Sequence, residues 1–382
     1  MKIMQTKWTN DRGWDKVHPG DFDHVPQLVL VFGGVSALSE PKVLGEIREA
    51  YDGATIVGCS TAGEICGTQV LDDSLVATAV HFEQSEVAGS QVGVGDAADS
   101  YAAGKRLAEE LDKNGLTHAF VLSDGLKVNG SELVKGIVDH LPPDVSLTGG
   151  LSGDGGQFKQ TKVIWNGEAA SGSVVLIGFY GTRLKVGSAS MGGWDPFGPE
   201  RLITRSDGNV LFELDGRSAL DLYRQYLGEH AAGLPATGLL FPLSLRGDDG
   251  HAGVVRTVLA VNDSNQSMTF AGDLHEGTYA RLMKANFDRL IDGAGGAAKV
   301  CRQAMDPTPS ELAILISCVG RKMVLSQRIE EEVEGVEEVL GSQCVLTGFY
   351  SYGEISPFRP AAKPELHNQT MTVTTLSEVS LG

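Results

Sequence analysis

The chain reads as an α/β protein, in the α+β sense of mixed sheets covered by helices, built from repeated β-α-β-β units and arranged as two pseudo-similar halves. Three observations predict this. Apolar runs of strand length alternate with amphipathic stretches of helical period. One such unit recurs three times along the chain. Each copy also carries a glycine-flanked turn at a matching place.

The first copy opens with the apolar run 28–34, LVLVFGG. A helical stretch follows, with Val43, Leu44, Ile47 and Tyr51 on one face. A strand then ends in the turn 58–65, GCSTAGEI, and the run 75–82 closes the unit. The second copy opens at 118–125, HAFVLSDG, and its helix carries Leu133, Val134, Ile137, Val138 and Leu141. Its glycine segment is 149–156, with strands at 161–165 and 173–180. The third copy opens at 312–320, LAILISCVG, and places Ile329, Val333, Val336 and Leu340 at helical spacing. Its turn is 348–355, GFYSYGEI, and 371–376 is its closing strand. Glycines five apart flank a serine in all three, at Gly58/Gly63, Gly150/Gly155 and Gly348/Gly353. The spacing from the first strand's last glycine to the turn is 24, 25 and 28 residues.

Residues 185–274 break the pattern. They hold the turn-rich segment 192–199, a helix at 216–227, a boundary at Gly233-Leu234-Pro235, and strands at 253–261 and 267–270. A long helical region, 277–305, is expected next, with Leu282, Met283, Phe287, Leu290 and Ile291 on its apolar face.

The bulk numbers bound the function. The 382 residues suffice for two or three domains, and a core of that size needs no disulfide or metal staple. The net charge of −18, from 49 acidic and 31 basic residues, repels phosphate backbones and anionic lipid, so neither nucleic acid nor a membrane surface is an expected partner. No run reaches the ~18 apolar residues of a membrane span, and the polar N-terminus lacks a signal core. A cytoplasmic location is the expectation. Cys59, Cys66, Cys301, Cys318 and Cys344 have no CxxC spacing and read as buried free thiols.

Several segments together carry a family resemblance: 58–65, 149–158, 193–199, 214–220 (LDGRSAL), 281–286 (RLMKAN), Gly320-Arg321-Lys322, 348–357 and 366–371 (LHNQTM). With these the chain resembles a FIST protein, N-terminal and C-terminal regions both present, across about 27–377. The implied domains are an N-terminal arm at 1–26, a FIST N-terminal domain at 27–213 and a FIST C-terminal domain at 214–382. The resemblance implies a sensory module that binds a small-molecule ligand and regulates a separate histidine kinase or cyclic-di-GMP enzyme, as in two-component systems. A homodimer is compatible with it. In length and stand-alone architecture the chain is similar to the nitric-oxide-sensing haem protein family, NosP, which implies haem b. A binding module for an amino acid or similar metabolite, without haem, stands as the alternative.

On their own terms the residues offer few chemical motifs. The segment 58–63, GCSTAG, is one residue too long for a G-x-S-x-G elbow and is followed by turn and strand. Neither Ser60 nor Cys59 has an indicated base, so a hydrolase is not expected. The segment 149–156 lacks the P-loop lysine and reads as a tight turn. The histidines form no metal-ligand spacing. His367 is the first candidate for a haem iron, in 366–371 just before the closing strand, with His275 in a turn and His251 between glycines behind it. Tyr350, Tyr352, His367 and Asn368 are expected to converge on one pocket, lined also by Gly348 and Gly353. Arg321 and Arg256 interrupt apolar runs, so each needs a partner, either a ligand carboxylate or an internal acid such as Glu354. The acidic run 330–338 interleaves valines and reads as a solvated helix face or a docking surface for a basic partner.

Overall fold

In the computed structural model, which describes residues 1–246, 252–357 and 362–379, the repeat is present three times and forms three mixed sheets. Each unit has a first strand, a helix, a second strand parallel to the first, a hairpin, and a closing strand antiparallel to the first. In unit I these strands are Leu28–Gly33, Thr55–Ser60, the hairpin Glu64–Cys66/Gln69–Leu71 and Ser74–His81. In unit II they are Leu116–Ser123, Ser146–Leu151, Val163–Trp165/Glu168–Ala170 and Ser173–Tyr180. In unit III they are Leu312–Cys318, Val345–Ser351, Gly353–Pro357/Pro364–His367 and Met371–Glu378.

No hairpin pairs within its own unit. The hairpin of unit I adds to the second strand of unit III, that of unit III to unit II, and that of unit II to unit I. The exchange closes a cycle. Each sheet is completed on its other side by a leading strand, Lys2–Thr9, Glu86–Gly93 or Leu184–Met191, paired with the closing strand. The first residues, expected as an arm, are thus the leading strand of unit I. The Met1 ammonium lies 3.1 Å from Glu311, in unit III.

The alternation of the first strands explains the layers. Leu28, Leu30 and Phe32, Phe120 and Leu122, and Leu312, Ile314 and Ile316 face one shared core where the sheets meet. Val29 and Val31 instead face Val43, Leu44 and Ile47 of the helix Pro41–Ala50, and Ala119, Val121, Ala313 and Leu315 likewise turn to helices. Both faces are covered, so these strands are apolar throughout.

At the start of each crossing stands a glycine. A Cβ on Gly58, Gly149 or Gly348 would sit 1.7, 1.9 and 1.9 Å from the carbonyl oxygen of Val31, Val121 and Leu315, the residues opposite them in the parallel ladder. The equivalent of Gly58 and Gly348 is therefore Gly149, one residue before the Gly150 aligned by sequence.

Unit III is interrupted between its leading strand and its first helix. Residues 195–284 form a lobe with a nine-stranded sheet and its own core around Ile203, Leu220, Tyr223, Leu243, Met268 and Phe270. Two expected elements differ here. The stretch Tyr279–Lys284 is a strand, not the start of a helix, because Ala280 and Leu282 turn inward between Leu243 and Ile203. The helix begins at Phe287, where the Asn286 side chain caps it, and runs to Met305. The expected strand at 253–261 is two, Ala252–Arg256 and Val258–Asn262, broken at Thr257. The domain boundary expected between 213 and 214 falls inside the lobe strand Val210–Leu214.

Gly348→Ala and Gly149→Ala are expected to cost about 3 kcal/mol or more, since a side chain there must separate a pair of bonded strands. Gly45→Ala, in the helix Pro41–Ala50 with nothing within 4 Å of the added carbon, is expected to be neutral or to stabilise by about 0.5–1 kcal/mol. Chemical denaturation of the three variants checks both.

Candidate ligand-binding cavity

A cavity of ≈ 530 Å³ lies between the core and the lobe, beyond the C-terminal end of the unit III first strand. That is where parallel α/β sheets leave room for ligands. Cys318, Val319, Gly320 and Met323 form one wall, from the strand end and the helix Val319–Leu325. The lobe contributes Pro235, Leu239, Thr257, Val258 and Leu259. Unit II contributes Leu126, Gly156 and Phe158, and the unit III crossing contributes Tyr352 and Asn368.

Phe158 and Tyr352 stack with ring centres 4.4 Å apart and planes 13° from parallel. Their placement follows from one carboxylate. Asp154 accepts the backbone N–H of Phe158, Lys159 and Gln160 at 2.7–2.8 Å and the Tyr352 hydroxyl. Burial opposes ionisation of Asp154, but the Tyr352 hydroxyl and these amides outweigh it and hold the carboxyl below its ordinary value. Burial also raises the Tyr352 phenol, and the Asp154 hydrogen bond adds to the shift. A smaller chamber of ≈ 320 Å³, also lined by Phe158 and Tyr352, reaches Asn129, Asp273 and Leu366.

Two polar atoms at the main cavity are buried with no hydrogen-bond partner among the described residues, Asn368 Oδ1 and Thr257 Oγ1. Asn368 is 1 % exposed and Thr257 4 %. Gln369, behind Gly320, likewise leaves both side-chain polar atoms unpaired. Native interiors satisfy nearly all such groups, so a cluster of them beside a cavity marks a place where a ligand or water completes the bonding.

Of the residues expected to converge, Tyr352 and Asn368 do. Tyr350 does not; it is fully buried behind the wall and donates to Glu332 at 2.7 Å. His367 lies in the hairpin strand Pro364–His367, carried away to the unit II sheet, with Nε2 2.8 Å from the Ser356 carbonyl oxygen. Burial, with Arg256 nearby, lowers it to about 4, so the ring is neutral. Gly348 and Gly353 are structural: the first lies on the Leu315 carbonyl and the second against Leu366 and Leu151. His275 is exposed on a turn. His251 lies outside the described residues.

The arginines differ in their partners. Arg321 is fully buried and pairs with Glu332, not Glu354, at 2.6 Å. It also donates to the carbonyls of Gly192 and Leu290, while Glu332 accepts from Ser317 and Tyr350. Glu332 thus departs from the expected solvated face of the run 330–338, because its turn of the helix Ile329–Leu340 faces the core beside Val333 and Val336. Arg256 donates to the carbonyls of Asp273 and Leu366, and burial lowers it to about 10 against the pull of Glu365 and Asp273. Ser60 is buried, its hydroxyl accepting from the Lys162 amide, and burial pushes the Cys59 thiol up. The sequence reading missed Phe158, Thr257, Asp154 and Glu332. Asp154 inside the glycine-rich 149–156, Phe158 just after it, and Glu332 within the acidic run 330–338 had a local signal; Thr257 had none.

Two buried acids occupy equivalent hairpin positions. Glu64 accepts from Thr61 and from the Ser74 amide and hydroxyl. Glu354 accepts from Ser351 and from the Thr370 amide and hydroxyl. Burial outweighs these bonds and raises Glu64 to about 7 and Glu354 to about 8.

The family model described as the FIST N domain matches residues 27–217, and that of the FIST C domain matches 219–357. An uncharacterized protein of Methanocaldococcus jannaschii is 22 % identical over 81 % of this chain and 67 % of its own length. Uncharacterized proteins of Mycobacterium bovis and Mycobacterium tuberculosis are 23 % and 22 % identical, each over 91 % of this chain and 90 % of theirs. Among solved structures, a cyanuric acid hydrolase from A. caulinodans aligns over 100 % of this chain and 99 % of its own, at 9 % identity and a TM-score of 0.34.

Two outcomes are expected. Glu332→Ala strands the Arg321 guanidinium in the core and should cost about 3–5 kcal/mol in equilibrium unfolding. The raised acids bind their protons more tightly in the folded chain than in the unfolded one. Their contribution is therefore full below about pH 4.5 and lost as pH rises through 7 to 8. The double variant Glu64→Gln/Glu354→Gln should flatten the fall of Tm between pH 5 and 8 (about the interval these shifts span), measured by thermal denaturation.

Proposed function

This chain belongs to the FIST family, its N and C domains both matched, and on that premise we propose that its sensory ligand occupies the cavity between core and lobe. FIST domains are sensory ligand-binding domains of signalling proteins. The observation that carries the placement is a pair of buried atoms without a partner among the described residues, Asn368 Oδ1 and Thr257 Oγ1, one from the core and one from the lobe. A ligand that bonds both favours the arrangement in which lobe and core are apposed, and so shifts a conformational equilibrium.

The output follows from the wall. The helix Val319–Leu325 turns Val319, Gly320 and Met323 to the cavity and Arg321 to Glu332 on the acidic helix Ile329–Leu340. A shift of the wall thereby bears on an exposed acidic face. We assign that face to contact with a separate histidine kinase or cyclic-di-GMP enzyme, whose basic surface would complement it.

Haem fits this site poorly. No described residue lining the cavity is a histidine, His367 is spent on the Ser356 carbonyl, and His275 stands on an exposed turn. The sensing reading rests on the cavity and takes no step through haem. The protein acts in it by binding, with Ser60 and Cys59 as packing residues. Among the described residues no helix is long and apolar enough to cross a membrane.

A thermal-shift screen of small molecules tests the site. A true ligand at 100 times its Kd should stabilise the chain by about 2.7 kcal/mol. Gly156→Trp should remove the effect without unfolding the protein, because a Cβ there meets only the flexible tip of Met323. A ligand whose stabilisation survives that substitution binds elsewhere. Titration with haem should give no saturable Soret band, and a saturable one would return the histidines to the site.

A further inference from the structure

The cavity also constrains the chemistry of its ligand, and this inference rests on the placement above. None of its described lining residues carries a charge at neutral pH. Burial pushes the Cys318 thiol up, and the Tyr352 hydroxyl is held by Asp154. The cations nearby are committed elsewhere. Lys322 donates to the Ala62 carbonyl and pairs with Asp72, Arg321 pairs with Glu332, and Arg256 faces two backbone carbonyls. An ionised ligand would lose its hydration here and gain no counter-ion.

The apolar surface has a particular form. Leu126, Phe158, Leu259 and Met323 are 39–43 % exposed, an unusual grouping of large apolar side chains at one opening. Phe158 is kept there by the hydrogen bond its backbone N–H donates to the Asp154 carboxylate and by its stack on Tyr352, at a positive φ of 53°. A ring held rigid and left partly exposed is a platform for another flat ring.

The polar side has a fixed sense. Asn368 Nδ2 points at the Tyr352 carbonyl oxygen, 3.5 Å away, and that oxygen can only accept. The amide is thereby oriented with Oδ1 as the atom that lacks a partner. An acceptor needs a donor from the ligand.

We propose that the cavity takes a neutral, flat aromatic molecule bearing an N–H or O–H group, its ring packed against Phe158 and its donor given to Asn368 Oδ1. The same features disfavour free amino acids and carboxylates.

Three probes of nearly one shape separate the requirements, titrated into the full chain by fluorescence or calorimetry: carbazole, with a ring N–H; dibenzofuran, with an oxygen in its place; and carbazole-3-carboxylate, with a charge. Carbazole should saturate, and each of the others should bind about tenfold more weakly or less, the value of one hydrogen bond or one uncompensated charge. Asn368→Leu should reduce carbazole to the level of dibenzofuran, and Gly156→Trp should abolish binding of all. The comparison of carbazole with dibenzofuran needs no variant, so it stands even where Asn368→Leu fails to fold. Equal affinities for those two, tighter binding of the carboxylate, or no saturable binding of any probe would overturn the ligand class. Should Gly156→Trp still abolish whatever binding is seen, the cavity remains the site and only the class is wrong. Binding that Gly156→Trp leaves unchanged would instead remove the cavity as the site.

Discussion

Everything in this molecule hangs on the crossing of the chain from one sheet to the next. At Gly58, Gly149 and Gly348 the backbone lies so close to the neighbouring parallel strand that only hydrogen fits. A few residues on, each hairpin leaves its own unit and completes another sheet. The cycle I to III to II to I means that no unit owns a complete sheet, so the three stand or fall together. The shared apolar core is the energetic return of that arrangement, with Phe32 of unit I and Phe349 of unit III 4.8 Å apart between ring centres.

The crossings carry buried polar groups, and these are satisfied locally. Glu64 and Glu354 are each wrapped by hydroxyls and one amide from the strand that follows. In unit II the equivalent amide, that of Gly172 before the closing strand, is accepted by the buried carboxylate of Asp124. The pseudo-symmetry is broken in two places: by the Asp154-centred loop of unit II and by the lobe inserted into unit III. The cavity lies where both departures meet. There three different elements, unit II, the lobe and the unit III crossing, share a wall.

That wall also touches the molecule's main buried ion pair. The helix Val319–Leu325 is short, and its two faces do different things. One closes the cavity. The other plants Arg321 in a buried network reaching Glu332, Tyr350, and the carbonyls of Gly192 and Leu290 that flank the lobe. Such a network tolerates few intermediate arrangements, because a half-satisfied buried charge is costly.

The sequence alone determined the local structure and the repeat. Apolar runs such as 312–318, helical spacing such as Val333 and Val336, and glycine turns are properties of neighbours along the chain, and periodicity reports them directly. It also singled out Tyr352 and Asn368, because the segment before the closing strand was expected beside the turn 348–355. Partner choice was beyond it. A hairpin has the same alternation whichever sheet it joins, so nothing local told 353–367 to leave His367 in unit II, or told 1–9 to become an edge strand. The one-residue shift from Gly150 to Gly149, the inward turn of Glu332, and the strand at Tyr279–Lys284 were likewise decided by what packs against them. Long-range pairing and burial set those outcomes, and they exist only once the chain has closed on itself.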